Sequence, residues 1–406
     1  MEDLLYLVHR IPYPPNKGDK IRSYHLLRHL SQRYTVHLGA FVDDEADWKY
    51  QQQLTDMVTG TVKLIPLDKR QATLRSTAGL LAGLPLTLPY YQDAGMRHWV
   101  KSTLAEHPIS RALAFSSAMA QYLEPYPQLQ RIVDFVDMDS DKWRQYAERK
   151  SWPMSWVYRR EARTLLDYER RIASHFDAST FVSEAEAESF RQQAPECASR
   201  ISYFNNGVDL DYFSPGHDLQ DPFPAEQRTL VFTGAMDYWA NVDAVSWFAH
   251  EVFPALRGQF PDLNFYIVGS NPSAEVKILA GNGIVVTGSV ADVRPYLAHA
   301  SLCVAPLRIA RGIQNKVLEA MAMAGTVIVS PQALQGIDAE MGHELLLAEN
   351  AQAFVALIAT QLSQPNQSLG LAARRRVEQS YSWDNSLKRV DELLGLNPDQ
   401  PVSGNC

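Results

Sequence analysis

The feature that most constrains this chain is an alternation of short apolar runs with longer amphipathic or polar segments. Residues 4–9 (LLYLVH), 35–42 (TVHLGAFV), 61–66, 112–116, 131–137 and 178–182 read as strands. After a polar stretch rich in Pro, Gly and Asp at 215–226, the pattern starts again with 229–233 (TLVFT), 264–269 (NFYIVG), 284–286, 302–307 and 326–330. Strands separated by helical segments at this spacing predict parallel sheets with right-handed crossovers, the α/β class. The 406 residues exceed one ordinary core, and two domains of roughly 150–200 residues are expected. The boundaries read as 1–210, a linker at 211–226, and 227–382, with a last helix at 383–396 and a loose tail at 397–406.

Charge and cysteine usage narrow the function classes. A net charge of −8 argues against a dedicated nucleic-acid binder. Cys197, Cys303 and Cys406 are scattered, with neither a disulfide framework nor zinc spacing, as in a reduced cytosol. No apolar run approaches the roughly 18–20 residues of a spanning helix. The nearest candidate, 78–91 (AGLLAGLPLTLPYY), is broken by Pro85 and Pro89. The start Met1-Glu2-Asp3 lacks the positive charge of a signal peptide. A cytoplasmic protein is expected, with peripheral contact at the inner membrane face left open.

Residues 301–330 (SLCVAPLRIARGIQNKVLEAMAMAGTVIVS) concentrate the chemistry. A strand leads into a turn carrying Arg308, Arg311 and Gly312, then a helix from about 313 to 323 with Lys316 and Glu319 on one face. A helix start beside a glycine turn with cations close by suits a diphosphate, and an acid further in suits a ribose diol. In the first half, RIPYPPNKGDKIRSYHLLRHL places Gly18 in a loop between a strand and an amphipathic helix, with Ile21, Tyr24, Leu27 and Leu30 inward. His9 and His25 nearby read as structural.

The run DFVDMDSDKW clusters Asp134, Asp137, Asp139 and Asp141 at the end of a strand. Two of the four read as caps for the next helix, and Asp137 or Asp139 as a cleft-edge residue. Segments 69–91 and 152–175 read first as helices packed on the first domain. Their apolar, basic and aromatic content also fits an acceptor-facing or membrane-facing surface. In ISYFNNGVDLDYFSP, Asn206-Gly207 reads as a turn onto which Asp209 bonds back.

With these residues the chain resembles glycosyltransferases of the GT-B fold, in the large retaining family numbered 4. The resemblance rests on PPNKGDKIRSYHLLRHL, SYFNNGVDLDYFSP, FTGAMDYWANVDAVSWF, VTGSV and, above all, APLR, RG and NKVLEAMAMAG. DFVDMDSDKW combined with PLRIARGIQNKVLEAMAMA is similar to the bacterial sugar transferases encoded with exosortase (PEP-CTERM) exopolysaccharide systems. The resemblance implies two Rossmann-like, doubly wound domains facing a cleft, with the acceptor on the first and the donor on the second. It also implies a last helix crossing back onto the first domain, and no metal or other cofactor. Glu319 matches the second glutamate of the family's E-x7-E motif, which holds the donor ribose. Gly18, Gly234, Arg308, Arg311, Gly312, Ile313 and Lys316 join it as expected donor-binding residues.

The chain departs from that family at two places. Arg311 stands where the first glutamate of the motif belongs; it cannot accept sugar hydroxyls but can clamp a phosphate. MDYWAN lacks the usual Arg and Lys after the first donor-domain strand, so Arg308, Arg311 and Lys316 are expected to supply positive charge to the leaving diphosphate. No histidine occupies the usual strand end of the first domain, so Asp137 and Asp139, with Lys316, are the expected catalytic residues. Asp137-Met138-Asp139 spells a metal-binding triplet, but in the acceptor half, where chance explains it better. The expected activity is transfer of a hexosyl group from a nucleoside-diphosphate sugar to a growing cell-surface or exopolysaccharide glycan, lipid-linked or not, with configuration retained. A nucleotide-sugar epimerase of the same fold and a non-catalytic nucleotide-sugar-binding subunit are the alternatives.

Overall fold

The computed structural model describes residues 1–15, 18–148, 150–310 and 312–396, in two compact units, Met1–Asn205 with Leu387–Cys406 and Asn206–Ser386.

In the first unit the strands are β1 (Glu2–Val8), β2 (Tyr34–Val42), β3 (Val62–Pro66), β4 (Arg111–Phe115), β5 (Gln130–Val136), β6 (Ala178–Phe181) and β7 (Ile201–Tyr203). They form one seven-stranded sheet in the order β3-β2-β1-β4-β5-β6-β7, and every pairing is parallel. Helices cover both faces of such a sheet, so its inner strands read as continuous apolar runs. Leu4 to Val8 are accordingly all fully buried. β7 was not anticipated, because three residues between loops carry no periodicity.

Helix Gly18–Ser31 corrects the expected inward face. Leu27 and Leu30 are buried, but Ile21 and Tyr24 are only half-buried, while Arg22, His25, Leu26 and His29 point inward. The reason is a buried ion pair. Arg22 Nε donates to Asp134 Oδ2 at 2.7 Å and its Nη1 to the Phe204 carbonyl at 2.9 Å. Its guanidinium lies 3.5 Å from the Phe204 ring centroid. Residues 387–396 also pack in this unit: Leu387, Val390 and Leu394 are buried, Asp391 binds His29 at 2.8 Å, and Gln130 donates to the Leu393 carbonyl at 2.9 Å.

The second unit contains β8 (Arg228–Thr233), β9 (Leu263–Val268), β10 (Ile284–Gly288), β11 (Leu302–Ala305), β12 (Val327–Val329) and β13 (Leu346–Leu347). The sheet is six-stranded and parallel, in the order β10-β9-β8-β11-β12-β13. The order reverses between β8 and β11, so the loops leaving these two strands diverge and open a crevice. Gly207 is needed for close approach rather than for a turn: a Cβ there would run into the Trp383 backbone. Asp209 accepts from Tyr212 N at 3.0 Å, capping the turn that follows.

Candidate active site

The crevice between β8 and β11 holds the densest chemistry of the second unit. After β8 the chain turns at Gly234 (φ +154°) into helix Trp239–Glu251. A Cβ on Gly234 would sit 2.7 Å from Asn241 Nδ2 and 3.1 Å from Lys316 Nζ. Gly269 (φ +155°), after β9, has no room for a side chain, because a Cβ there would overlap the Gly234 carbonyl oxygen. Gly234 therefore leaves room for Asn241 and the Lys316 ammonium beside the β8 turn, and Gly269 lets the end of β9 close on the Gly234 carbonyl.

That ammonium belongs to Lys316, on helix Asn315–Ala322. The helix begins two residues later than expected, so Gly312 (φ +62°) and Ile313 lie in the loop before it, with Ile313 packed on the core. The Gln314 side chain does not cap the helix it precedes, and the first-turn N–H groups of a helix have no partner within it. Lys316 Nζ donates to Asn241 Oδ1 and lies 4.4 Å from the centroid of the Phe232 ring. Asn241 Nδ2 in turn donates to the Ala235 carbonyl at 2.9 Å, tying the β8 loop to the lysine. Burial pushes Lys316 down to about 8, with the Glu319 charge opposing. Burial likewise pushes Glu319 up to about 7, against the pull of Lys316. The pair is thus poised so that both members change charge near neutrality.

Of the expected donor-side residues, Gly234, Lys316 and Glu319 come together. Arg308 is exposed, and its Nε and Nη2 bind Asp243 of helix Trp239–Glu251, Nε at 3.0 Å. Its charge is already matched by Asp243. Arg311 lies outside the described residues. Asn241 and Asp243 were missed in the sequence. They sit in ANVDA, where the search was for cations and the useful groups are an amide and a carboxylate.

In the first unit, the four acids of DFVDMDSDKW disperse. Asp134 is buried on Arg22. Asp137 and Asp139 both face Lys142, at 2.8 and 3.2 Å, and Asp141 binds Arg144 at 2.5 Å. Burial alone would lower Lys142, but Asp139 and Asp137 together hold it well above the usual lysine range. The expected capping role is corrected: helix Asp139–Glu148 is capped by Glu169, whose carboxyl accepts from Ser140 Oγ at 2.5 Å and from Ser140 N at 3.4 Å. A Cβ on Gly18 would meet nothing within 4 Å, so packing does not demand glycine there.

The reversal of the first sheet, between β1 and β4, gathers residues that the sequence reading set aside as structural or did not single out. The His9 ring stacks on Phe115 with 5.8 Å between centroids, and its Nε2 lies 3.5 Å from Asp19. Arg10 bridges Asp19 at 2.7 Å and Asp43 at 3.1 Å. Burial would raise Asp19, yet the His9 hydrogen bond and the Arg10 charge hold it well below the usual carboxylate range. Among the described residues, one group of three could hold a metal: Asp3, His37 and His107, with ligand atoms within 4.8 Å of one another. It lies toward the amino ends of β1 and β2, away from both crevices. His37 already bonds Asp3 at 2.9 Å and Thr61 Oγ1 at 3.0 Å.

Residues 227–364 match the family model described as glycosyl transferases group 1. No curated protein matches the chain. Among solved structures, a sucrose-phosphate synthase from Thermosynechococcus elongatus is similar over 97% of this chain and 98% of its own, with TM-score 0.67 and 17% identity. The Anabaena protein HepE in complex with UDP covers 97% and 100%, with TM-score 0.65 and 15% identity. WaaG, a glycosyltransferase involved in lipopolysaccharide biosynthesis, covers 97% and 100%, with TM-score 0.63 and 16% identity. The two parallel sheets with their helices are the GT-B fold. The second unit carries a glycosyl transferases group 1 domain, which supports a transferase.

Proposed function

We propose that the enzyme moves a hexosyl group from a nucleoside-diphosphate sugar onto a growing cell-surface or exopolysaccharide glycan, with retention at the anomeric carbon. The observation that carries the reading is the Gly234–Asn241–Lys316–Glu319 cluster at the strand-order reversal of the group 1 domain. Glu319 accepts two hydrogen bonds from a ribose diol, which only a carboxylate at this position can do. Lys316, positioned by Asn241, meets the diphosphate together with the uncapped N–H groups of its helix, Gly312 and Ile313 preceding them. Arg308 and Arg311 add charge as the diphosphate leaves, Arg308 by exchanging Asp243 for phosphate. Asp137 and Asp139 orient the acceptor hydroxyl, and Gly18 is counted with the donor-binding residues. The reaction needs no metal in this reading.

HepE has been solved with UDP-glucose, which makes a UDP-hexose the first donor to try. The acceptor is proposed to be lipid-linked, in an exosortase-associated exopolysaccharide system, and the enzyme to work in the cytoplasm at the inner membrane face. The test is to incubate the protein with a panel of nucleotide sugars, with and without a membrane lipid extract, and follow nucleoside diphosphate by mass spectrometry. Release that depends on the extract supports transfer. Interconversion of the sugar without release identifies an epimerase, and binding without either identifies a non-catalytic subunit.

A further inference from the structure

We infer that the first unit docks on an anionic lipid bilayer through a basic, aromatic patch shared by helix Lys69–Leu81, the turn at 82–86 and the amino-terminal half of helix Met154–His175. Two segments more than seventy positions apart in sequence build it. Arg160 donates to the carbonyls of Leu84 and Leu80, at 3.0 and 3.1 Å. Glu161 accepts from Leu86 N at 2.5 Å and from Thr87 N at 3.1 Å. These bonds hold the apolar turn beside the helix start.

The surface so formed exposes what a globular protein ordinarily covers. Trp152 is 80% exposed, Leu74 69%, Trp156 55% and Leu84 45%. Met154 and Tyr146 are exposed as well. Trp156, Arg159, Arg160 and Arg163 recur at i, i+3, i+4 and i+7, on one helix face. Arg159 and Arg163 are exposed and, among the described residues, form no ion pair.

Charge complementarity selects the partner. The whole chain carries −8, yet residues 69–92 and 150–160 contain no Asp or Glu. The acids at the border are used up: Glu161 by the bonds to Leu86 and Thr87, and Glu148 by Arg144 at 3.2 Å. Asp167, one turn beyond Arg163, ends the patch. Tryptophans beside arginines on an otherwise acidic protein match the headgroup boundary of a bilayer, where the rings sit at the interface and the guanidinium groups meet lipid phosphates. Among the described residues no helix is long and apolar enough to cross a membrane, so the mode is surface docking.

Docking would deepen the reading of a lipid-linked acceptor, but the test needs neither donor nor acceptor and stands apart from the transferase assay. The full chain is floated with phosphatidylcholine vesicles and with vesicles that also contain phosphatidylglycerol. Binding is expected only to the latter, weakening as salt rises. Arg159→Gln with Arg163→Gln should lower partitioning on the order of tenfold or more, and Trp152→Ser with Trp156→Ser should lower it as well. Trp152→Phe with Trp156→Phe should keep binding but lose most of the blue shift in fluorescence. All six substitutions are at exposed positions, and unchanged thermal melts check folding. Equal partitioning to both vesicle types, or Arg→Gln and Trp→Ser variants that bind like the parent, would overturn the proposal. So would binding of a single-stranded RNA probe without vesicle binding.

Discussion

Lys316 and Glu319 lie one helical turn apart in a partly buried crevice, and each pays for burial by moving its proton affinity toward the other's. Donor binding in the proposed mode needs Glu319 ionised and Lys316 protonated. Glu319, raised to about 7, loses its charge below that pH, and Lys316, lowered to about 8, loses its charge above it. Donor affinity should therefore peak between these values and fall on both sides, as an isothermal titration series across pH would show. Glu319→Gln removes a charged acceptor and should weaken donor binding roughly 10- to 100-fold, with the acid limb gone. Asn241→Ala should chiefly lower turnover, because Lys316 loses the partner that aims it. Glu169 offers a separate check on burial. Burial, with Asp139 adding to it, raises this carboxyl to about 8, so the folded state favours the protonated acid more than the unfolded chain does. Its contribution to stability is complete at low pH and is lost as pH rises through about 8. Glu169→Gln should flatten that decline, which runs from the ordinary carboxylate range up to about 8, in denaturant melts across pH.

Among the elements, helix Gly18–Ser31 is the clearest case of a pattern only half legible in sequence. Its length and its Leu27 and Leu30 face follow from apolar spacing. That Arg22 turns inward does not, since the partner, Asp134, is 112 positions away. Asp134 also accepts from Thr180 Oγ1 at 3.1 Å and from Val136 N at 3.2 Å, so one carboxylate ties the helix to β5 and β6. Removing one member of such a buried pair leaves a charge without compensation. Asp134→Ala should cost about 3–5 kcal/mol in urea unfolding, and Arg22→Met with Asp134→Leu should recover much of it. The strands that were legible are longer or flanked by helical segments that set them off, even where a polar residue interrupts the run, as Asp134 does in β5. Those that were not, Ile201–Tyr203 and Leu346–Leu347, are short edge strands defined by pairing rather than by composition. The acids of DFVDMDSDKW show the same limit at the site: their clustering in sequence was plain, but their partners, Arg22, Lys142 and Arg144, decide what each does.

At the scale of the whole chain, 387–396 belongs with a unit whose other residues end nearly two hundred positions earlier. Leu387, Val390 and Leu394 are buried there, and Asp391 and Arg389 bond His29 and Ser202 at 2.8 Å each. Ending the chain after Ser386 should destabilise the first unit by roughly 4.5–9 kcal/mol, from three apolar side chains at about 1.5–3 kcal/mol each. Differential scanning calorimetry would register it as an early transition. The two parallel sheets were readable, and Gly234, Lys316 and Glu319 could be singled out, because periodicity and a few chemistry-bearing residues survive in one dimension. The sugar, the base and the acceptor were not, because loop contacts that select them follow no transferable spacing.

The most direct test of the central claim is nucleoside diphosphate release from a UDP-hexose by the parent protein and by Lys316→Ala, measured with lipid extract present. Extract-dependent release by the parent, lowered by about a hundredfold or more in the variant, is the expected result. Equal release by both proteins, or no release by the parent from any nucleotide sugar it binds, would contradict the account.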